Sequence, residues 1–164
     1  MKKRVNKLSR RVYVKGKKTY AKGQAPDLSK SNRYQNIISL MSIRVEDVHE
    51  ANPMDRTGEF YFEVGGKGLL KHDYRIPFHG EIKIKENLTY SAKQDFTLWI
   101  SFDEADKEKT RSIPIKFRER DATRDDTIIK TEIPITYGSG TKYEVIKGPG
   151  ISVKIKISSR KTRY

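Results

Sequence analysis

The chain has no cysteine, one tryptophan, three histidines and six prolines in 164 residues. Without cysteine there is no disulfide, no thiolate metal site and no cysteine nucleophile. No apolar run approaches the roughly 20 residues of a membrane-spanning helix. No apolar stretch of about 7–15 residues follows the cationic start, so no secretory signal is expected. The first 26 residues also contain no acid. A transit peptide shares that trait, but the Lys- and Gly-rich composition and the missing amphipathic face argue against one. Asn87-Leu88-Thr89 matches a glycosylation acceptor and is expected to be a chance match inside a strand.

Chemistry-bearing constellations are also scarce. His49, His72 and His79 stand in no nucleophile–base motif, and no glycine-rich phosphate cradle or zinc spacing occurs. Asp47, His49 and Glu50 form a compact polar cluster at a strand end. His49 and Glu50 are neighbours whose side chains diverge, so the cluster reads as solvated rather than metal-binding. No catalytic residue, cofactor or metal site is expected, and the protein is read as non-enzymatic.

What the chain does have is charge of one sign, concentrated at one end. Residues 1–35 hold twelve lysines and arginines against the single acid Asp27, or +11 of the formal +14. Residues 36–164 are nearly balanced, with 23 cations and 20 acids. Gly16, Gly23 and Pro26 interrupt any helix there, since glycine costs about 1 kcal/mol in a helix interior. Too little apolar surface is present for this stretch to fold alone. It reads as an extended basic arm.

Clustered cations neutralise phosphates and release counterions. Lys2, Lys3, Arg4, Lys7, Arg10, Arg11, Lys15, Lys17, Lys18 and Lys22 are the candidate nucleic-acid-binding residues. Tyr13, Tyr20 and Tyr34 could stack on unpaired bases. If about half of the arm's cations engage, the salt slope is about −4 to −5. No base-reading helix is visible, so binding is expected to be non-specific. The arm lacks the Trp, Phe and clustered Leu of an inserting helix, which argues against a membrane. Neighbouring protein subunits with acidic surfaces are the other partner class.

From Asn36 onward the apolar residues recur with period 2, the mark of half-buried strands. Met41, Ile43 and Val45 form one inward set, and Phe60, Phe62 and Val64 another. Tyr74, Ile76 and Phe78 follow, then Ile82, Ile84, Leu88 and Tyr90. Phe96, Leu98, Ile100 and Phe102 give the cleanest buried face, with Trp99 on the opposite side. Ile113, Ile115 and Phe117 come next, then Ile133, Ile135 and Tyr137, with Tyr143 and Val145 after a glycine turn. Ile151, Val153, Ile155 and Ile157 close the series. Pro77 and Pro114 suit edge positions because proline cannot donate to a ladder. The fold class expected is all-β, an antiparallel β-sandwich or jelly roll of about eight strands. The domain spans residues 36–157, preceded by the arm and followed by a short basic tail over residues 158–164.

The run Ile115-Lys116-Phe117-Arg118-Glu119-Arg120-Asp121-Ala122-Thr123-Arg124-Asp125-Asp126-Thr127-Ile128-Ile129, closing with Glu132-Ile133-Pro134-Ile135, resembles a known sandwich family. It is similar to the calcium- and lipid-binding domains of protein kinase C and synaptotagmin. Asp55-Arg56-Thr57-Gly58 before Phe60-Tyr61-Phe62 is similar to that family's first loop. The resemblance extends over residues 41–157. Aligned without gaps, it places the family's third-loop calcium aspartates on Arg118, Arg120 and Asp126. Two of these three are cationic here, and calcium needs about six to eight oxygen ligands. The resemblance therefore implies a sandwich with a degenerate calcium site.

Two functions follow as expectations. The first is a structural component of a nucleoprotein assembly, in a virion, capsid or phage particle or ribosome-associated, located in the virion or cytoplasm. That expectation rests on the architectural analogy of a basic arm on an all-β body. The second is a calcium-independent lipid- or protein-binding sandwich module, to which Arg118, Arg120 and Arg124 contribute.

Overall fold

The computed structural model describes residues 32–48, 56–65, 74–77, 79–92, 96–104, 109–121 and 125–162. These hold ten strands and, among the described residues, no helix. In chain order they are β1 (Arg33–Val45), β2 (Thr57–Val64), β3 (Tyr74–Ile76), β4 (Ile82–Lys85) and β5 (Thr89–Ser91). There follow β6 (Thr97–Glu104), β7 (Thr110–Glu119), β8 (Asp126–Thr136), β9 (Gly140–Gly148) and β10 (Ile151–Lys161).

All pairings are antiparallel and build two sheets. In the first sheet β5 and β6 lie end to end along one side of β1, at Ser42–Arg44 and Arg33–Ser39 respectively. β10 and β9 follow on the other side. In the second, β3 and β4 lie end to end along β2, and β7 and β8 continue outward. Counting each interrupted edge once gives eight strand positions, as the periodicity anticipates.

The inward faces supply one core. Ile38, Leu40, Ile43, Val153, Ile155 and Ile157 come from the first sheet, and Phe60, Phe62, Ile115, Phe117 and Ile133 from the second. Phe117 sits between Phe60 and Phe62, with ring centroids 5.3 and 4.8 Å away. Packing two apolar sheet faces in this way is the standard solution for strands that are apolar on one side only.

Several expectations are corrected, the first of them by local irregularities. In β6 the pairing with β1 slips between Ile38 and Ser39, whose partners are Trp99 and Thr97. Leu98 is the extra residue, so Leu98 and Trp99 are both buried, at 1% and 6% exposure. Beyond the bulge the parity is reversed. Ile100 and Phe102 point outward at 49% and 61%, the opposite of the expected buried face. In β1 a similar slip between Leu40 and Ser42 leaves Met41 exposed rather than inward.

Pro114 is not on an edge strand, since β7 lies between β2 and β8. It falls where β2 runs out, and its carbonyl accepts the Gly65 N–H at 2.9 Å. Asn87 lies in the turn between β4 and β5, at φ 61°, rather than in a strand. At the ends, β1 begins at Arg33, inside the stretch assigned to the arm. β10 runs to Lys161, past the expected domain end, with Ser158 and Ser159 buried.

Candidate functional site

The position to which the resemblance assigns calcium is filled by ion pairs. The outward residues of β2 and β7 interleave Glu59, Tyr61 and Glu63 with Lys116 and Arg118. Arg118 donates from Nη1 to Glu63 Oε1 at 2.7 Å, and Lys116 Nζ donates to Glu63 Oε2 at 3.1 Å. Burial pushes the Glu63 carboxyl up, but the bonds from Arg118 and Lys116 outweigh it and hold the group below its ordinary value. The Tyr61 hydroxyl donates to Asp125 Oδ2 at 2.6 Å. Arg118 Nη2 donates to the Asp125 carbonyl at 2.7 Å. The Arg75 guanidinium lies 4.0 Å from the Tyr61 ring centroid, and that of Arg118 5.8 Å. Arg120 Nη1 donates to Glu81 Oε1 at 2.6 Å.

Guanidinium groups cannot ligate a cation, and here they occupy the carboxylates that might. Asp126 is exposed. Asp55, His49, Glu50 and Arg124 lie outside the described residues. Among the described residues no group of three His, Asp or Glu is placed to hold a metal. This cluster is a lock between strands, not a binding cavity.

A second polar cluster closes the end where β1 enters the sheet. Asp103 accepts from Ser101 Oγ at 2.6 Å, Tyr137 Oη at 3.1 Å, Asn36 Nδ2 at 3.2 Å and Arg111 Nη1 at 3.2 Å. Ser159 donates to Asn36 Oδ1 at 2.6 Å. With its acceptors and donors matched, this network orders the end of the sandwich and leaves no open site.

The outer face of the first sheet is different. Cross-strand register sets its rows: Ile100 opposite Ile37 opposite Ser158, then Ser39 opposite Lys156 opposite Tyr143. Next come Ser42, Lys154 and Val145, and then Arg44, Ser152 and Lys147. Four of the large exposed apolar side chains share this face: Ile100, Phe102, Tyr143 at 57% and Val145 at 56%. Lys147, Lys154, Lys156 and Arg160 lie among them and make no ion pair with the described residues. Lys154 Nζ lies 5.9 Å from the Tyr143 ring. Two more cations on the face, Arg33 and Arg44, pair with Glu104 and Glu46.

Of the arm residues expected to contact nucleic acid, Lys2, Lys3, Arg4, Lys7, Arg10, Arg11, Lys15, Lys17, Lys18 and Lys22, with Tyr13 and Tyr20, lie outside the described residues, whereas Tyr34 is buried in β1 against Tyr137 and is not available to stack on a base. The cationic sheet face escapes a reading confined to the apolar half of each strand. Its signal is the other half of β10, where Lys154, Lys156 and Arg160 alternate with the core positions.

No protein-family model matches the chain, and no curated protein matches it. Thirty-six chains of solved structures do. Human GIVD cytosolic phospholipase A2, in complex with methyl gamma-linolenyl fluorophosphonate and terbium chloride, is similar at TM-score 0.52 and 9% identity. The match covers 80% of this chain and 18% of that one, so the chain spans under a fifth of that enzyme's length. A solved C2 domain is similar at TM-score 0.43 and 11% identity, over 77% of this chain and 98% of that chain. Drosophila C2-DSL-EGF1 gives 0.45 and 10%, over 77% and 67%.

The chain shares its β-sandwich fold with a segment of that phospholipase, and C2 domains are among the structures it is similar to, the family to which the 115–135 run bears a resemblance. The virion and capsid expectation is overturned: the shared fold is that of a phospholipase segment, not of a particle subunit.

Proposed function

We propose that this chain is a metal-independent binding module that docks on an anionic lipid surface through the outer face of its first sheet. The observation that carries the reading is the mixture on that face. Lys147, Lys154, Lys156 and Arg160 have no carboxylate partners among the described residues, and they alternate with exposed Ile100, Phe102, Tyr143 and Val145. A phosphate-bearing interface satisfies both sets, because ammonium groups meet head groups while aromatic and aliphatic side chains enter the boundary layer. An acidic protein surface or a duplex would satisfy the cations and leave Phe102 and Ile100 wet, and unpaired bases stacked on Phe102 would still leave Ile100 and Val145 without an apolar partner.

This reading revises the expectation against a membrane. That expectation considered only the arm, which lacks the Trp, Phe and clustered Leu of an inserting helix. The sheet face provides exposed Ile100, Phe102, Tyr143 and Val145. At about 1 kcal/mol per cation near an anionic leaflet, four cations give about −4 kcal/mol, or a dissociation constant near 1 mM. Charge alone is therefore too weak, and the apolar half of the face is needed. Arg118 and Arg120 in place of calcium ligands fit a module that needs no metal to dock. Sedimentation with phosphatidylserine vesicles in the presence of chelator tests the proposal.

A further inference from the structure

We infer that β9 is a self-pairing edge, and that two copies of this chain join antiparallel along it with Tyr143 opposite its own counterpart. An open sheet edge is a template for another strand, and sandwiches usually blunt their edges. Three of the four edges here are blunted. The β3/β4 edge is broken by Pro77 and Gly80, the β5/β6 edge is interrupted after Ser91, and β8 carries Pro134 and a register slip opposite Phe117. β9 has no proline, break or register slip, and of its charged residues Lys142 and Glu144 are a pair that a second copy complements. It pairs with β10 over nine consecutive residues.

The turn settles which backbone groups face the open side. β9 and β10 are joined by the two residues Pro149 and Gly150, with Gly150 at φ 62° and Gly148 paired to Ile151. The pair closing a two-residue antiparallel hairpin is hydrogen-bonded, and the bonded pairs then alternate. Gly148, Ile146, Glu144 and Lys142 therefore bond to β10. The N–H and C=O groups of Thr141, Tyr143, Val145 and Lys147 point away from the sheet. Among the described residues nothing pairs with them.

A second copy fits this edge in one register better than in others. Paired residues must share a face, and the outward-pointing groups must meet. Centring on Tyr143 satisfies both conditions: Tyr143 meets Tyr143, and Thr141 meets Val145 on each side. The non-bonded pairs between them then place Lys142 opposite Glu144 twice. These side chains already bond within one chain at 2.6 Å, and both remain partly exposed. Centring on Val145 instead puts Glu144 opposite Ile146 and Lys142 opposite Gly148, so no charge is matched. The join extends the cationic face across two copies, which would raise avidity for a surface. The pairing itself does not depend on the lipid reading.

The test is sedimentation velocity on the full chain without lipid, from low micromolar to near-millimolar concentration. We expect a reversible monomer–dimer equilibrium. Lys142→Glu places like charges opposite each other twice, as does Glu144→Lys, and each should weaken the dimer about tenfold. An equal mixture of the two variants restores complementary pairs and should associate like the wild type. Circular dichroism of each variant checks that its sheets are intact, and restored association in the mixture independently shows that both are folded. A wild type that stays monomeric throughout overturns the inference. So does a mixture that associates no better than either variant alone.

Discussion

The Tyr61 hydroxyl donates a 2.6 Å hydrogen bond to the Asp125 carboxylate, with the Arg75 guanidinium 4.0 Å from its ring. Burial, aided by the bond to Asp125, pushes the phenol up to about 12 from an ordinary 10.0. A raised pKa means that the folded state keeps a proton the unfolded chain loses. The contribution of Tyr61 to stability is therefore complete below pH 10 and disappears as pH rises through about 12. Tyr61→Phe should remove the tyrosinate absorbance component near pH 12. It should also cost about 1–2 kcal/mol at neutral pH, because it deletes a hydrogen bond to a charged group.

Glu63 gives the opposite sign. Lys116 and Arg118 hold its carboxyl below 4.5, so its contribution is complete above that pH and is lost as pH falls through the folded value. Glu63→Gln should lower stability by about 1–2 kcal/mol at pH 7, since the pair is only partly exposed. The deficit relative to wild type should shrink steadily below pH 4.5, as followed by urea denaturation at several pH values.

Phe117 is nearly inaccessible, stacks on Phe60 and meets Phe62 at a tilt. Phe117→Ala should cost about 3–5 kcal/mol, the range for a large-to-small change in a core that cannot collapse around the void. Equilibrium denaturation measures this. A loss below about 1 kcal/mol would mean that the two sheets do not share a packed core at this point.

The strands were legible because most of them alternate strictly, as in the Phe60–Phe62–Val64 and Ile151–Ile157 sets. Two of the errors sit where a bulge adds one residue; Tyr143 and Val145 are another kind, outward on an edge strand whose pairing has no slip. No composition signal marks Leu98 or Met41 as extra, and a single inserted residue inverts every side chain beyond it. Period 2 alone therefore sends Ile100 and Phe102 to the core, whereas they stand on the outer face of the first sheet. The charge at Arg118 and Arg120 was legible as incompatible with calcium. Its partners, Glu63 on β2 and Glu81 just ahead of β4, are far away in sequence, and only the register of β2 on β7 brings Glu63 beside Arg118.

The docking face itself is tested most directly by binding of the full chain to phosphatidylserine vesicles in chelator, with Lys154→Glu/Lys156→Glu as the comparison. Reversing two of the four cations should weaken binding at least about tenfold, at about 1 kcal/mol per charge near the surface. Wild-type binding should be unchanged by added calcium and absent on phosphatidylcholine vesicles. If the double variant binds anionic vesicles as well as the wild type does, the first-sheet face is not the docking surface.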